Sequence, residues 1–129
     1  MTLAFWCVVV GGLLPLAGTG AAKWGFKNFD NHNPRQWLSE QTGSRARALA
    51  AEKNTHESFP FFAAAVIMAH LAVGPHSLID TLALAYIAAR VLFLVAYILD
   101  WASFRTFVWT IGVISTLAIA TAGAWLPST

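Results

Sequence analysis

Four long stretches of this sequence contain almost no charge, and each approaches the length of a helix that crosses a lipid bilayer. Such a helix needs roughly 20 mainly apolar residues, because the hydrocarbon layer is about 30 Å thick and each helical residue adds about 1.5 Å. We expect spans over residues 3–22, 46–73, 77–99 and 104–126. Only 11% of the residues are charged, against about 25% in soluble domains. The chain is therefore predicted to be an all-α integral membrane protein with a single four-span domain, and the lipid bilayer is its expected partner.

The distribution of basic residues predicts the orientation of these spans. The long connection from Lys23 to Glu57, which includes the part of the second helix that precedes the bilayer, contains most of them: Lys23, Lys27, Arg35, Arg45, Arg47 and Lys53. The connection at residues 74–76 contains none. Because cytoplasmic connections carry an excess of lysine and arginine, the long connection is expected in the cytoplasm. Both chain termini are then expected to face away from it.

Charge and cysteine content exclude several classes of protein. Eight Lys or Arg residues against six Asp or Glu residues give a net charge of +2, with no basic run interleaved with aromatic residues, so nucleic-acid binding is not expected. Cys7 has no second cysteine to pair with. The histidines do not have metal-ligand spacing with nearby carboxylates, and no metal is expected at them. They are His32, His56, His70 and His76.

A charged residue inside the third span is the first candidate for function. Arg90 lies ten residues before Asp100, which is about 15 Å along a helix, and a charge at the centre of a span costs about 2.5–3.5 kcal/mol. Four residues of this span share one helical stripe: Tyr86, Arg90, Phe93 and Tyr97. The stripe is either a packing seam or part of a polar site.

The second span offers a partner for this arginine. Four of its residues fall near one face: Arg47, Asn54, Glu57 and Phe61. On ideal helices Glu57 and Arg90 lie at depths that differ by about one helical turn, so we expect an ion pair between them, within or between subunits. The alternative is a purely structural pair that fixes the register of the helices. Pro60 is expected to kink this span rather than end it.

With these features the chain resembles the MAPEG superfamily, the membrane-associated proteins of eicosanoid and glutathione metabolism. It is similar in particular to the short bacterial members. The resemblance covers essentially the whole chain and rests on an Asn-x-x-Glu-x-x-Pro motif and three further residues. The matching residues are Asn54, Glu57, Pro60, Arg90, Tyr97 and Arg105.

The resemblance implies a homotrimer of left-handed four-helix bundles in the bacterial inner membrane, with glutathione as the cofactor between neighbouring subunits near the cytoplasmic side. It implies that Arg105 activates the thiol and that Tyr97 lines the catalytic site. Residues that would bind or frame glutathione are Asn54, Glu57, Arg90 and Tyr97. Arg47 is a further candidate for a carboxylate contact, because of its charge and its helix face.

Two departures from the family pattern leave the function open. Ala50 stands where the glutathione-using branches have an arginine, and Phe93 stands where a tyrosine is expected. One hypothesis is a glutathione-dependent transferase or peroxidase that acts on lipophilic electrophiles. The alternative is a non-catalytic protein of the same fold, either a lipid- or quinone-binding protein or an accessory subunit of a larger membrane complex.

Overall fold

The computed structural model describes residues 1–24 and 28–128, and every regular element in these two segments is a helix. The helices are α1 (Leu3–Leu13), α2 (Pro15–Lys23), α3 (Pro34–Ser39), α4 (Gly43–Ala72), α5 (Ser77–Ile98) and α6 (Ala102–Ala120), followed by a short 3-10 turn at Ala122–Ala124. This confirms the all-helical prediction. Lys27, one of the basic residues used to predict the orientation, lies outside the described residues.

Three helical segments are long and apolar enough to cross a membrane: Leu3–Lys23, which joins α1 and α2, then α5 and α6. At most 39% of each apolar stretch is buried within the chain, so most of its side chains are free to contact lipid. Helix α4 is not among the three, because His56, Glu57 and His70 lower the hydropathy of its apolar half. The second predicted span therefore stays a prediction. Helix α4 packs against α2, α5 and α6, and Pro60 lies inside it without ending it.

Two side-chain hydrogen bonds fix the beginning of α1 to its neighbours. The Asp80 carboxylate of α5 accepts a hydrogen bond from the Ala4 backbone N–H at 2.7 Å, and the Thr2 hydroxyl lies 2.9 Å from Nε2 of His70 on α4. The first N–H groups of a helix have no partner within the helix, and a carboxylate there is also favoured by the helix dipole. These contacts hold α1 against both α4 and α5.

Helix α2 lies very close to α4 at Gly18. A Cβ atom added to Gly18 would lie 2.8 Å from the Cβ atom of Glu52 and 3.1 Å from the Ala48 carbonyl oxygen. One residue later, the Thr19 hydroxyl donates a hydrogen bond of 2.6 Å to the Glu52 carboxylate. The absence of a side chain at Gly18 allows this approach, as in small-residue contacts between membrane helices.

The connection between α5 and α6 is a tight turn that positions two of the predicted site residues. Asp100 has a left-handed backbone with φ +60°, and the Trp101 N–H donates to the Ala96 carbonyl at 2.8 Å. The Asp100 N–H donates to the Tyr97 carbonyl at 3.2 Å. This is the Schellman pattern of helix ends. It places Tyr97, near the end of α5, beside Arg105, in the first turns of α6.

The left-handed residue of this turn provides a test of the fold. We expect Asp100→Ile to lower the free energy of unfolding by about 1–2 kcal/mol, because a β-branched side chain is disfavoured at positive φ. Asp100→Asn, the matched control, is expected to change it by less than about 0.5 kcal/mol, since asparagine tolerates this conformation. Denaturant titration of both variants in the same detergent, followed by tryptophan fluorescence, measures the difference. Equal stability of the two variants would contradict the role of this turn.

Candidate functional site

Arg90 is buried between α4 and α5 and is the centre of the candidate site. Only 2% of its surface is exposed. Its Nη2 atom donates to the Asn54 side-chain oxygen at 2.9 Å and to the Thr55 hydroxyl at 2.8 Å. The Thr55 hydroxyl in turn donates to the Ala51 carbonyl at 2.8 Å. The buried cation is thus held by neutral oxygen atoms on one turn of α4.

The ion pair expected between Glu57 and Arg90 does not form within the chain. Glu57 is exposed, and its carboxylate has no ion pair with Arg90, although both residues line the same cavity. Asn54 lies on the same face of α4, one helical turn before Glu57. Its side-chain oxygen, and not the Glu57 carboxylate, accepts the hydrogen bond from the Arg90 guanidinium. The prediction is therefore wrong for a pair within one subunit. A pair between subunits stays a prediction.

The predicted stripe on α5 forms a continuous stack of rings and guanidinium groups. The Arg90 guanidinium lies 4.2 Å from the centre of the Phe93 ring, and the Phe93 and Tyr97 rings meet edge to face at 5.5 Å. The guanidinium of Arg105 on α6 lies 4.3 Å from the centre of the Tyr97 ring. Two cations are therefore separated by two aromatic rings, each in a cation–π contact.

Two neighbouring cavities follow this stack. The first, called here the Arg105 cavity, has a volume of about 240 Å³ and is lined by Asn54, Phe93, Tyr97, Arg105, Thr106 and Trp109. The second, called the Arg90 cavity, has a volume of about 290 Å³ and contains Glu57 and Arg90 in its lining. Asn54 and Trp109 line both cavities. Five of the six predicted site residues thus lie around this pair of cavities.

The remaining predicted residue, Arg47, lies elsewhere. Its Nε and Nη2 atoms donate to the Ile98 carbonyl at 3.2 and 3.1 Å, and it lines neither cavity. The last carbonyl groups of a helix have no partner within the helix, so Arg47 completes the end of α5. Ala50 is half-buried and also lines neither cavity.

Three contributors to the site are absent from the sequence predictions. Thr55 contacts Arg90, but it occupies one of the two variable positions of the Asn-x-x-Glu motif, so the motif does not indicate its role. The Ser58 hydroxyl lies 3.0 Å from the Tyr86 hydroxyl, and the Tyr86 ring stacks on Phe62 at 3.8 Å. Trp109 lies inside the fourth predicted span, and it lines both cavities. Only the helical spacing of Trp109 after Arg105 could have indicated this position.

The described residues offer little for a metal ion. Within residues 1–24 and 28–128, no group of three or more His, Cys, Asp or Glu side chains is placed to hold one. On α4, His56 Nε2 lies 3.8 Å from a Glu52 carboxylate oxygen. The side chains that line the two cavities carry guanidinium, amide, carboxylate, hydroxyl and aromatic groups.

Comparison with known protein families identifies a family that covers the chain. A model of the MAPEG family matches residues 3–125, which is nearly the whole chain and includes every residue that lines the two cavities. A search of curated proteins finds no match.

Proposed function

Since the chain belongs to the MAPEG family and has three helices able to cross a bilayer, it is an integral membrane protein, and we propose that it is a glutathione-dependent enzyme. The proposed reaction is transfer of glutathione to a lipophilic electrophile, or reduction of a lipophilic peroxide. The observation that supports it best is the stack of Arg105 on Tyr97 beside the Arg105 cavity. This contact leaves a permanent positive charge at the wall of a cavity between α5 and α6.

The residues around this cavity fit the chemical groups of glutathione. When bound, glutathione supplies a thiol whose deprotonated sulfur is a nucleophile towards carbon or a reductant of a peroxide. The Arg105 guanidinium stays protonated and stabilises a nearby thiolate, so it acts by its charge and not as a base. Asn54 offers amide groups, and Glu57 offers a carboxylate for an ammonium group. Tyr97 holds Arg105 through its ring and can donate its hydroxyl proton to an oxygen acceptor.

The proposal includes a homotrimer of four-helix bundles in the bacterial inner membrane, with both termini away from the cytoplasm. Glu57 is exposed on the surface of the single chain, beside the mouth of the Arg90 cavity. An exposed carboxylate next to an apolar surface fits a position covered by a neighbouring subunit, where it could still pair with a basic group. We propose that glutathione binds at this subunit boundary, with Asn54, Glu57 and Arg90 framing it.

The second candidate function is non-catalytic, either as a lipid- or quinone-binding protein or as an accessory subunit of a larger membrane complex. Phe93 supports it, because its ring lines the Arg105 cavity without the hydroxyl expected in glutathione-using relatives. Ala50 supports it as well, since it supplies no cation. The two candidates differ in whether glutathione binds.

Calorimetry of glutathione binding to the purified protein in lipid nanodiscs tests the proposal. We expect saturable binding at millimolar concentration or below, because an arginine and a carboxylate can each form a charge-assisted hydrogen bond with the ligand. Arg105→Ala and Arg90→Gln are expected to weaken it by about tenfold or more, which is about 1.4 kcal/mol. Arg35→Ala, at an exposed arginine of α3, is the matched control and should bind like the wild type. Wild-type protein without saturable binding would favour the non-catalytic candidate.

A further inference from the structure

Arg47 joins helix α4 to the turn between α5 and α6, although it lines neither cavity. Its Nε and Nη2 atoms both donate to the Ile98 carbonyl oxygen, at 3.2 and 3.1 Å. Because the guanidinium group is a rigid planar fork, two donations from it restrict the direction of the acceptor more than a single donation does. The contact therefore fixes the peptide group that follows Ile98 against α4.

The Ile98 carbonyl needs a side-chain donor because the turn provides no backbone donor for it. Ile98 is the last residue of α5, and the last carbonyl groups of a helix have no partner within the helix. The turn closes instead through the carbonyls of Ala96 and Tyr97. Among residues 1–24 and 28–128, no backbone N–H donates to the Ile98 carbonyl. Loss of the Arg47 guanidinium would thus release this turn from α4.

The same turn determines where Arg105 lies relative to Tyr97. Ile98 directly follows Tyr97, whose ring centre is 4.3 Å from the Arg105 guanidinium. On the other side of the turn, the Trp101 carbonyl accepts from the Arg105 N–H at 2.8 Å. Arg47 thus acts on the backbone that connects the two residues of this stack, and it does so from outside the stack.

The proposed activation of the thiol is sensitive to small displacements of Arg105. At an effective dielectric constant of about 20, two opposite unit charges attract each other less when their separation grows from about 4 Å to about 5 Å. The loss corresponds to a factor of about four in the ratio of thiolate to thiol. A contact that keeps the Arg105 guanidinium in place within about 1 Å therefore has a measurable effect on the thiolate.

On the basis of the proposed glutathione chemistry, we propose that Arg47 is a positioning residue for Arg105. It holds the turn between α5 and α6 so that the Arg105 guanidinium stays at the distance from the bound thiol at which the thiolate forms. In this role Arg47 touches neither glutathione nor the electrophile. It acts through the Ile98 carbonyl, by geometry and not by its own charge.

The test compares three arginine variants in lipid nanodiscs at saturating glutathione. Arg47→Met removes every donor and keeps the apolar part of the side chain. Arg47→Lys keeps the charge and loses the planar fork. Arg35→Met is the matched control, because Arg35 is an exposed arginine of α3. The ultraviolet absorbance of the bound thiolate, followed as the pH is varied, gives the ratio of thiolate to thiol in each protein.

We expect Arg47→Met to lower the ratio of thiolate to thiol at a fixed pH by about fourfold or more, so that its titration moves to higher pH. Arg47→Lys is expected to lie between Arg47→Met and the wild type. Arg35→Met should titrate like the wild type. Glutathione affinity at a pH where the bound thiol is protonated should change by less than about twofold in Arg47→Met, since the two effects have different origins.

A double-mutant cycle separates positioning from a direct effect of charge. If Arg47 acts through Arg105, the effect of Arg47→Met on the thiolate disappears in the Arg105→Ala background. A direct effect of the Arg47 charge on the thiol would persist there and would overturn the proposal. An unchanged titration in Arg47→Met would also overturn it. If Arg47→Met does not fold, Arg47→Lys replaces it, and a lysine variant that titrates like the wild type would contradict the need for the planar fork.

Hydrogen exchange without glutathione separates failure of this inference from failure of the proposed function. The backbone N–H groups of Asp100 and Trp101 close the turn, and we expect them to exchange about tenfold faster in Arg47→Met, because a hydrogen bond from a charged group is lost. Exchange in Arg35→Met should match the wild type. Unchanged exchange in Arg47→Met would overturn the inference alone, whereas wild-type protein that forms no thiolate would contradict the proposed function and, with it, this role of Arg47.

Discussion

Replacing Arg105 with alanine is expected to reduce glutathione-dependent turnover by about 100-fold or more, while the protein still folds. The guanidinium lies on the Tyr97 ring at 4.3 Å and lines the Arg105 cavity. Removing one preorganised group that stabilises developing charge typically costs about 100- to 1,000-fold in rate. Arg105 is only half-buried and makes no side-chain hydrogen bond to residues 1–24 or 28–128, so its loss should affect the reaction far more than the stability.

The measurement is the rate of glutathione conjugation to chlorodinitrobenzene, and of glutathione-dependent reduction of cumene hydroperoxide, in lipid nanodiscs. Arg105→Lys keeps the charge but loses the planar group that stacks on Tyr97, so an intermediate rate is expected. Arg35→Ala, far from both cavities, should leave the rate unchanged. Turnover in Arg105→Ala equal to that of the wild type would remove the proposed role of Arg105. A wild-type rate no higher than the uncatalysed rate would contradict the proposed activity itself.

Thr55→Val is expected to lower the free energy of unfolding by about 2–3 kcal/mol, although the two side chains have nearly the same shape. The valine removes the oxygen atom that accepts from Arg90 Nη2 at 2.8 Å. It therefore takes an acceptor from a guanidinium that already has one nitrogen without a partner. Hydrogen bonds to charged groups contribute about 1.5–3 kcal/mol each, and a buried charged donor without its acceptor costs at least as much.

Thr55→Ser is the matched control, because it keeps the hydroxyl and removes one methyl group; we expect a loss below about 1.5 kcal/mol. Titration of all three proteins with sodium dodecyl sulfate from one lipid–detergent mixture, followed by circular dichroism, gives the stabilities. If valine proves no worse than serine, the Thr55 hydroxyl is not what holds Arg90. Glutathione binding by the same variants shows whether Arg90 also loses its orientation towards the site.

Much of the helical layout could be predicted because its causes are local. The apolar runs predicted α5 to within one residue and the start of α6 to within two, whereas α6 ends at Ala120, six residues before the predicted end. The start of α4 at Gly43 follows a threonine, a common residue before a helix. The short helix α3 was not predicted, although Pro34 at its first position is a known beginning for a helix. Six residues are too few to show the helical period of apolar side chains. The trimer, the orientation and the membrane crossing of the second predicted span depend on the membrane assembly and not on local sequence.

The site was predictable as a group of residues but not in its hydrogen bonds. The depth of a residue, counted along ideal helices, is defined only to about one helical turn, roughly 5.4 Å. A hydrogen bond requires about 3 Å between heavy atoms. That difference decides between Asn54 and Glu57, which are one turn apart on the same face of α4. Asn54 contacts Arg90 in the structure, and the carboxylate of Glu57 stays exposed. The involvement of Thr55 depends on its side-chain rotamer, which no spacing rule contains.

Asn54 and Trp109 form a common wall between the two cavities, and this has a thermodynamic consequence. If occupation of one cavity turns either side chain, the affinity of the other cavity must change, and linkage makes the effect equal in both directions. A substitution at Trp109 therefore alters two binding equilibria at once. A thermodynamic cycle separates the intrinsic affinities from the coupling free energy. It requires the affinity of each cavity for its ligand to be measured twice, with the other cavity empty and with it occupied.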